Sequence, residues 1–403
     1  MARRRIVGGL DVGTTKICAC IGEETADGGV AVIGVGVSPS RGLRRGVVVD
    51  LEATARAIQE AAAAAAGMAG TPLESVYVNV SGPHIASLNS SGVIAISGAQ
   101  GEITAADAER VLLAARAVKL PQDRELLHVL PREYVVDGYQ GIRDPVGMTG
   151  GRLEAIVHIV TAAASHTQNL LKAVQRAGLE VAGLVLPALA VAEAVLEPAE
   201  REMGAALVDI GGGTTDVAVF LDGQVAHTAV LPISAHHVTS DIAVGLKIPV
   251  AQAEQIKLEH GAALPALAAA RQAGAPRWSD SRLSLADIIP PRIEELLQMV
   301  AHEIRTATGG EPLQGGVVLT GGGALMPGMA DAVQEQLGLP ARLGVPHKAA
   351  GLVDVVDSPL YSTAVGLVHY GLRQSGPAAA AGANGAPWSR LVERIKRWLS
   401  EIL

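Results

Sequence analysis

Short runs of apolar, β-branched residues alternate along the chain with stretches whose apolar positions recur at helical spacing, predicting an α/β order. The opening reads as three strands, 5–10, 16–22 and 30–37, the last preceded by the turn signal Asp27-Gly28-Gly29. A helix is expected over 51–66, with Asp50 as N-cap and Gly67 as its end, and then a strand over 76–80. Residues 83–161 read as a module of their own: a strand at 93–97, a helix at 105–118 capped by Thr104, and strands at 133–137 and 152–160. Alternation resumes with a helix at 166–176, a strand at 180–185 and a helix from Pro187, where proline suits the first turn. A second half begins with the strand 205–210, a glycine turn, another strand, the turn Asp222-Gly223 and a further strand. Helices are expected at 235–246, 250–260 and 288–304, with 263–275 part helix end and part loop. The strand 317–320 runs into Gly321-Gly322-Gly323. Residues 371–387 carry almost no large apolar group and predict a flexible linker.

The last stretch, 388–403, changes character. Trp388, Leu391, Val392, Ile395, Trp398, Leu399 and Ile402 fall on one helical face. Arg390, Glu393, Arg394, Lys396, Arg397 and Glu401 occupy the other, four basic side chains against two acidic ones. A helix packed on the protein's own core would also show such a stripe. The linker ahead of it and the two tryptophans favour an amphipathic helix lying in a membrane interface, drawn to anionic lipid by its basic face.

Composition narrows the class. The 403 residues suffice for two large domains or several subdomains around a cleft. Aromatic residues make up only 2%, so Val, Ile, Leu and Ala must fill the core. A net charge of −8 and the lack of a long basic run argue against nucleic acid as the main partner. Cys18 and Cys20 lie two apart without a nearby His, which suits small core residues in a reducing cytosol rather than a metal site. The Arg-rich start is followed within a few residues by Asp11, so no signal-peptide core forms. The longest apolar run, 181–196, is broken by Pro187 and Glu193 and is too short to span a bilayer. The expected location is the cytoplasmic side of the membrane, peripherally bound.

Two segments repeat each other. Asp11-Val12-Gly13-Thr14-Thr15-Lys16 matches Asp209-Ile210-Gly211-Gly212-Gly213-Thr214-Thr215-Asp216, and each lies between two β-rich runs. Glycine lets backbone N–H groups approach phosphate oxygens, threonine adds short donors, and Lys16 adds a positive charge. Asp11 and Asp209 would repel phosphate and suit water ligands of Mg²⁺ instead. One such turn alone is as well read as an ordinary hairpin. The pair, with Thr320-Gly321-Gly322-Gly323-Ala324 placed after a strand for purine and ribose, is specific for ATP between two lobes.

These three motifs resemble those of the actin/Hsp70/sugar-kinase superfamily, as its first phosphate, second phosphate and adenosine motifs. Glu254 and Lys257 match its ribose- and adenine-side pair. Within it the chain is similar to the FtsA family of cell division proteins, through Arg45-Gly46-Val47-Val48-Val49-Asp50, Arg152-Leu153-Glu154, Thr239-Ser240-Asp241-Ile242-Ala243 and 253–261. The resemblance covers about 5–370 and the tail. It implies an actin-like two-lobe ATPase fold with an inserted subdomain 1C and no subdomain 1B. The implied division is 1–82 and 162–203 for subdomain 1A, 83–161 for 1C, 204–370 for lobe 2 with a return to 1A, 371–387 for the linker and 388–403 for the membrane helix.

The resemblance further implies a protein that polymerises, tethers the FtsZ C-terminal peptide to the membrane and recruits later divisome proteins. Arg292, in Ile288-Ile289-Pro290-Pro291-Arg292, is then the candidate FtsZ contact, although a solvated helix charge reads equally well. Related MreB proteins carry a water-orienting Glu near the start of the helix matched here to 166–176, where this chain offers Leu170, His166 and Gln168. Weak or negligible ATP hydrolysis is expected. A PilM-like pilus-assembly adaptor and a small-molecule kinase of the same fold are the alternatives. His236 and His237, being adjacent, read as structural.

Overall fold

A computed structural model describes residues 5–374, apart from 27, 98–100, 274, 276–277, 279–280 and 348. Lobe 1 begins with β1 (Ile6–Val12), β2 (Lys16–Glu24) and β3 (Val30–Pro39), three antiparallel strands joined by tight turns. A two-stranded ladder, β4 (Leu43–Arg44) and β5 (Val47–Val48), leads directly into α1 (Leu51–Ala69). This short passage leaves no room for a subdomain 1B. Asp50 caps α1, accepting from Ala53 N at 3.0 Å. The helix does not stop at Gly67. It continues to Gly70, which adopts φ +63 in the left-handed geometry that ends it. Strand β6 (Ser75–Asn79) then pairs parallel to β1.

The inserted subdomain is a sheet with one helix. It contains β7 (Ala86–Ala95), α2 (Ala105–Arg116), β8 (Arg124–Val136), β9 (Tyr139–Ile142) and β10 (Arg152–Ala163), in the order β7-β10-β8-β9. Thr104 and Asp107 form a reciprocal capping box at the start of α2. Strand β8 starts well before the expected 133 because Pro131 is accommodated where the register against β10 shifts, between Ile156 and Val157. Strand β7 likewise begins before 93.

The chain returns to lobe 1 through α3 (Ala164–Arg176), β11 (Glu180–Val185) and α4 (Pro187–Val195), and α5 (Pro198–Met203) leads into lobe 2. Lobe 2 repeats the plan of lobe 1. Strands β12 (Ala205–Ile210), β13 (Thr215–Leu221) and β14 (Gln224–Leu231) are antiparallel. Helices α6 (Ala235–Leu246), α7 (Val250–His260), α8 (Pro265–Gln272) and α9 (Leu285–Thr308) follow. Residues 265–272 are thus a helix rather than a loop. Helix α9 starts before 288 because Ser284 and Asp287 cap it, which lets Pro290 and Pro291 sit inside its early turns. Strand β15 (Val317–Thr320) runs parallel to β12; α10 (Met329–Leu337) and β16 (Ala341–Leu343) complete the lobe.

The end of the described chain goes back to lobe 1: β17 (Ala349–Gly351) joins β3, and α11 (Val353–Val356) and α12 (Ser362–Gln374) follow. The two sheets read β11-β6-β1-β2-β3-β17 and β14-β13-β12-β15-β16, the same order around the same central hairpin. Residues of α4 and α12 share one buried cluster with β2 and β3 of lobe 1 and with Leu207, Ala218 and Phe220 of lobe 2, so both helices sit between the lobes. Helix α12 extends through Gln374, so 371–374 is helix rather than linker, with Leu372 buried on that cluster. The rest of the expected linker and the 388–403 helix lie outside the described residues.

Candidate binding site in the interlobe cleft

Each central hairpin is closed by one backbone bond: Gly13 N to Lys16 O at 3.1 Å and Gly211 N to Thr214 O at 2.9 Å. The hairpins face each other across a cleft of about 340 Å³. A Cβ added to Gly213 would lie 2.2 Å from Thr14 Oγ1, so glycine is what permits this approach. The third turn enters behind β15, where Gly321 takes φ +80 beside Asp209. Thr320, at the end of β15, donates to Ser362 Oγ at 2.8 Å and so fixes this turn to α12.

Of the expected residues, Asp11, Gly13, Thr14, Thr15, Lys16, Asp209, Gly211, Gly212, Gly213, Thr214, Glu254, Lys257, Gly321, Gly322 and Gly323 all line the cleft. Thr215 does not: it is fully buried and donates to Ile233 O at 2.8 Å, a core role at the start of β13. Arg292 lies on α9 away from the cleft lining, paired with Asp241 of α6 at 2.6 Å and with Glu295. His236 lines the cleft, contrary to a purely structural reading, whereas His237 caps α6 through Ser234 N. Pro187 at the start of α4 and Ala235 and His236 at the start of α6 line the cleft, and no residue of α3 does. Helix α3, which holds His166, Gln168 and Leu170, carries no acidic residue. Pro187 is preceded by buried Leu186, and this start also carries no carboxylate.

Lys16 Nζ is 3.6 Å from Asp11 Oδ2 and 5.5 Å from the centre of the Tyr361 ring, yet it makes no hydrogen bond among the described residues. Burial pulls the Lys16 pKa down, but Asp11, Cys18 and Tyr361 together outweigh it and raise it, so the ammonium stays protonated. Burial raises the Asp11 carboxyl in spite of Lys16 and Asn79. Burial, then repulsion from Asp11, pushes Asp209 up to about 7. Burial, then repulsion from Asp209, pushes Asp216 up to about 8. On the opposite wall, Lys257 Nζ donates to Glu254 Oε2 at 2.8 Å and to Thr239 Oγ1 at 2.9 Å. Burial raises the Glu254 pKa, but the bonds it accepts from Lys257 and from Thr239 Oγ1, with the charge of Lys257, outweigh it and hold the carboxyl below its ordinary range. Among the described residues no three His, Cys, Asp or Glu side chains are grouped to hold a metal directly.

Three supporting residues carried no motif in the sequence. Asn79 accepts from Val12 N at 2.7 Å and donates to Asp11 Oδ1 at 2.8 Å. Ser81 donates to both Asp216 oxygens at 2.9 Å, Asp216 being part of the repeat but not among the expected site residues. Thr363 donates to Asp209 at 3.3 Å. Asn79 ends β6, Ser81 lies in the segment after it and Thr363 is in α12, and each reaches the site through tertiary packing.

The chain is similar to known proteins along nearly its whole length. The family model for cell division protein FtsA matches residues 206–366, and that for the SHS2 domain inserted in FtsA matches 82–161. The chain is 45% identical over 408 residues to the cell division protein FtsA of Pseudomonas aeruginosa, covering 98% of this chain and 97% of that protein. The chain belongs to the FtsA family of cell division proteins. With the FtsA of Escherichia coli strain K12 the identity is 40% over 412 residues, at 98% of both chains. Among solved structures, the PilM–PilN type IV pilus biogenesis complex gives a TM-score of 0.67 at 18% identity, covering 91% of this chain and 98% of that one. MreB 5 of Spiroplasma citri bound to AMPPNP gives 0.52 at 14% identity, covering 95% and 99%. This FtsA-family chain therefore has the actin-like ATPase fold with an SHS2 insertion.

Proposed function

We propose that this FtsA-family chain binds ATP with Mg²⁺ in the interlobe cleft, polymerises in an actin-like way and tethers FtsZ to the cytoplasmic membrane. In that role it recruits later divisome proteins. The observation that carries the nucleotide reading is Lys16: a buried, protonated ammonium that among the described residues has only the 3.6 Å ion pair with Asp11 and no hydrogen bond within range, set among glycine turns at the cleft. A triphosphate supplies what that ammonium lacks. The N–H groups and hydroxyls of Gly13, Thr14, Thr15, Gly211, Gly212, Gly213 and Thr214 grip the phosphates from the two lobes. Glu254 and Lys257 meet the ribose and adenine, with Gly321, Gly322 and Gly323 allowing close approach. Asp11 and Asp209 hold the cation through its waters, and bound Mg²⁺ neutralises phosphate charge. The MreB chain of the same fold is recorded with AMPPNP. The lack of a carboxylate in α3, at His166, Gln168 and Leu170, supports slow hydrolysis, with ATP acting mainly as an assembly ligand.

Arg292 is the proposed contact for the FtsZ peptide, an acidic group of which would replace Asp241 or Glu295 on the guanidinium. Retention of the protein on immobilised FtsZ C-terminal peptide tests the tether. No helix among the described residues is long and apolar enough to cross a membrane, and attachment is assigned to 388–403. Titration with a fluorescent ATP analogue and Mg²⁺ tests the site. Losing a charged hydrogen bond worth about 1.5–3 kcal/mol, Lys16→Ala should bind roughly 10- to 150-fold more weakly. Equal affinity of the two proteins would remove Lys16 from the site.

A further inference from the structure

His236 and His237 are neighbours in sequence, yet the fold gives them different surroundings. His237 turns back on the start of α6, its Nδ1 accepting from Ser234 N at 3.1 Å. His236 is exposed on the wall of the interlobe cleft. The turn of α6 that carries it is fixed on two sides. Ala235 N donates to Gly211 O at 3.1 Å and Ser234 Oγ to Gly212 O at 2.9 Å, which ties this turn to the second glycine turn. Lys257 Nζ donates to Ala235 O at 3.3 Å. Thr239, one turn further along α6, donates to Glu254 Oε2 and accepts from Lys257, so the same helix is tied to α7.

His236 therefore stands between the glycine turn assigned to the phosphates and the Glu254–Lys257 pair assigned to the ribose and adenine. The covalent order of a nucleotide puts its α-phosphate between those two groups. The charges around the histidines suit an anion there. Burial lowers the His237 pKa, and Arg45, Arg292 and His236 lower it further, so the pair lies in a positive field. Arg45 supplies that charge from lobe 1, on the turn between β4 and β5. Arg292 of α9 is offset by Asp241 and Glu295, and Lys257 of α7 by Glu254.

We propose that His236 is a nucleotide contact, its imidazole donating a hydrogen bond to a non-bridging oxygen of the α-phosphate. The inference deepens the reading of the cleft as a nucleotide site and rests on it. An imidazole carries an N–H in either tautomer, so the donor is present whether or not the ring is charged. The hydrogen bonds on both sides of the α6 turn hold its backbone in place before the nucleotide arrives, which limits the ordering that binding requires. The α-phosphate is common to ATP and ADP. The contact therefore holds the nucleotide equally before and after the γ-phosphate is lost, and the outer phosphates are left to Lys16.

Isothermal titration calorimetry of the full chain with ATP and with ADP, each with Mg²⁺, tests the contact. His236→Ala changes an exposed helix position where alanine favours the fold. It should bind both nucleotides about tenfold more weakly, and by the same factor. His236→Asn keeps an N–H near the Nδ1 position and His236→Gln one near Nε2, so one of the two should recover most of the affinity. Phosphorus NMR of bound ADP should show the α-phosphorus shifted between wild type and His236→Ala with the β-phosphorus little changed. Unchanged affinity in His236→Ala overturns the contact, as does equal movement of both phosphorus signals, which a merely structural effect would give. A loss confined to ATP overturns the α-phosphate assignment, and recovery by neither amide overturns the donated bond. A wild type that binds neither nucleotide overturns the reading of the cleft itself.

Discussion

Asp11, Asp209 and Asp216 share a buried space in which Lys16 is the nearby cation for Asp11, and the sum of burial and mutual repulsion sets their protonation. In the nucleotide-free protein Asp209 and Asp216 titrate near 7 and 8, well above the ordinary 3.8. A carboxyl whose pKa is raised by folding favours the folded state while protonated, and that contribution is lost as pH rises through the raised value. Stability without nucleotide should therefore fall as pH rises from about 4 to about 8 and level off above that. Asp216→Asn, which keeps an acceptor for Ser81, should flatten that fall; Tm measured across the range checks it, and identical slopes would contradict it. Asp11, Lys16 and Asp209 were legible in the sequence because their turns repeat. Asn79, Ser81 and Thr363 were not, because a hydrogen bond across more than sixty residues leaves no local pattern.

The paired hairpins act as elements, each shaped by glycine so that the other can approach. Gly213→Ala places a methyl group 2.2 Å from Thr14 Oγ1, and the turns must separate to admit it. The variant should keep its far-UV circular dichroism and lose ATP binding, whereas unchanged affinity would show that the turns do not need to meet. Helices with a side-chain cap and a clear stripe were legible, as Asp50 and Thr104 illustrate. Ends were missed where a residue misleads: Gly67 lies inside α1, and Pro131 lies inside β8 at a register shift. The early prolines of α9 hid its start at Leu285, three residues before the expected one and capped by Ser284.

At the scale of the whole molecule, two lobes of one plan meet around α4 and α12, and the sequence announced this through the two matching turns about 200 residues apart. The seam between the inserted subdomain and lobe 2 had no such signal, since His158 and Thr228 look like ordinary strand residues until the fold brings them together. The tail stripe of 388–403 gives the molecule its proposed membrane attachment, and assembly would add avidity by joining many tails. Trp398→Glu should release the protein from anionic vesicles while leaving ATP binding intact; unchanged vesicle pelleting would contradict the attachment. The most direct test of the account is equilibrium dialysis of the wild-type chain against labelled ATP with Mg²⁺. Saturable binding of one nucleotide per chain is the predicted result, and no retained label at any concentration of protein would contradict it.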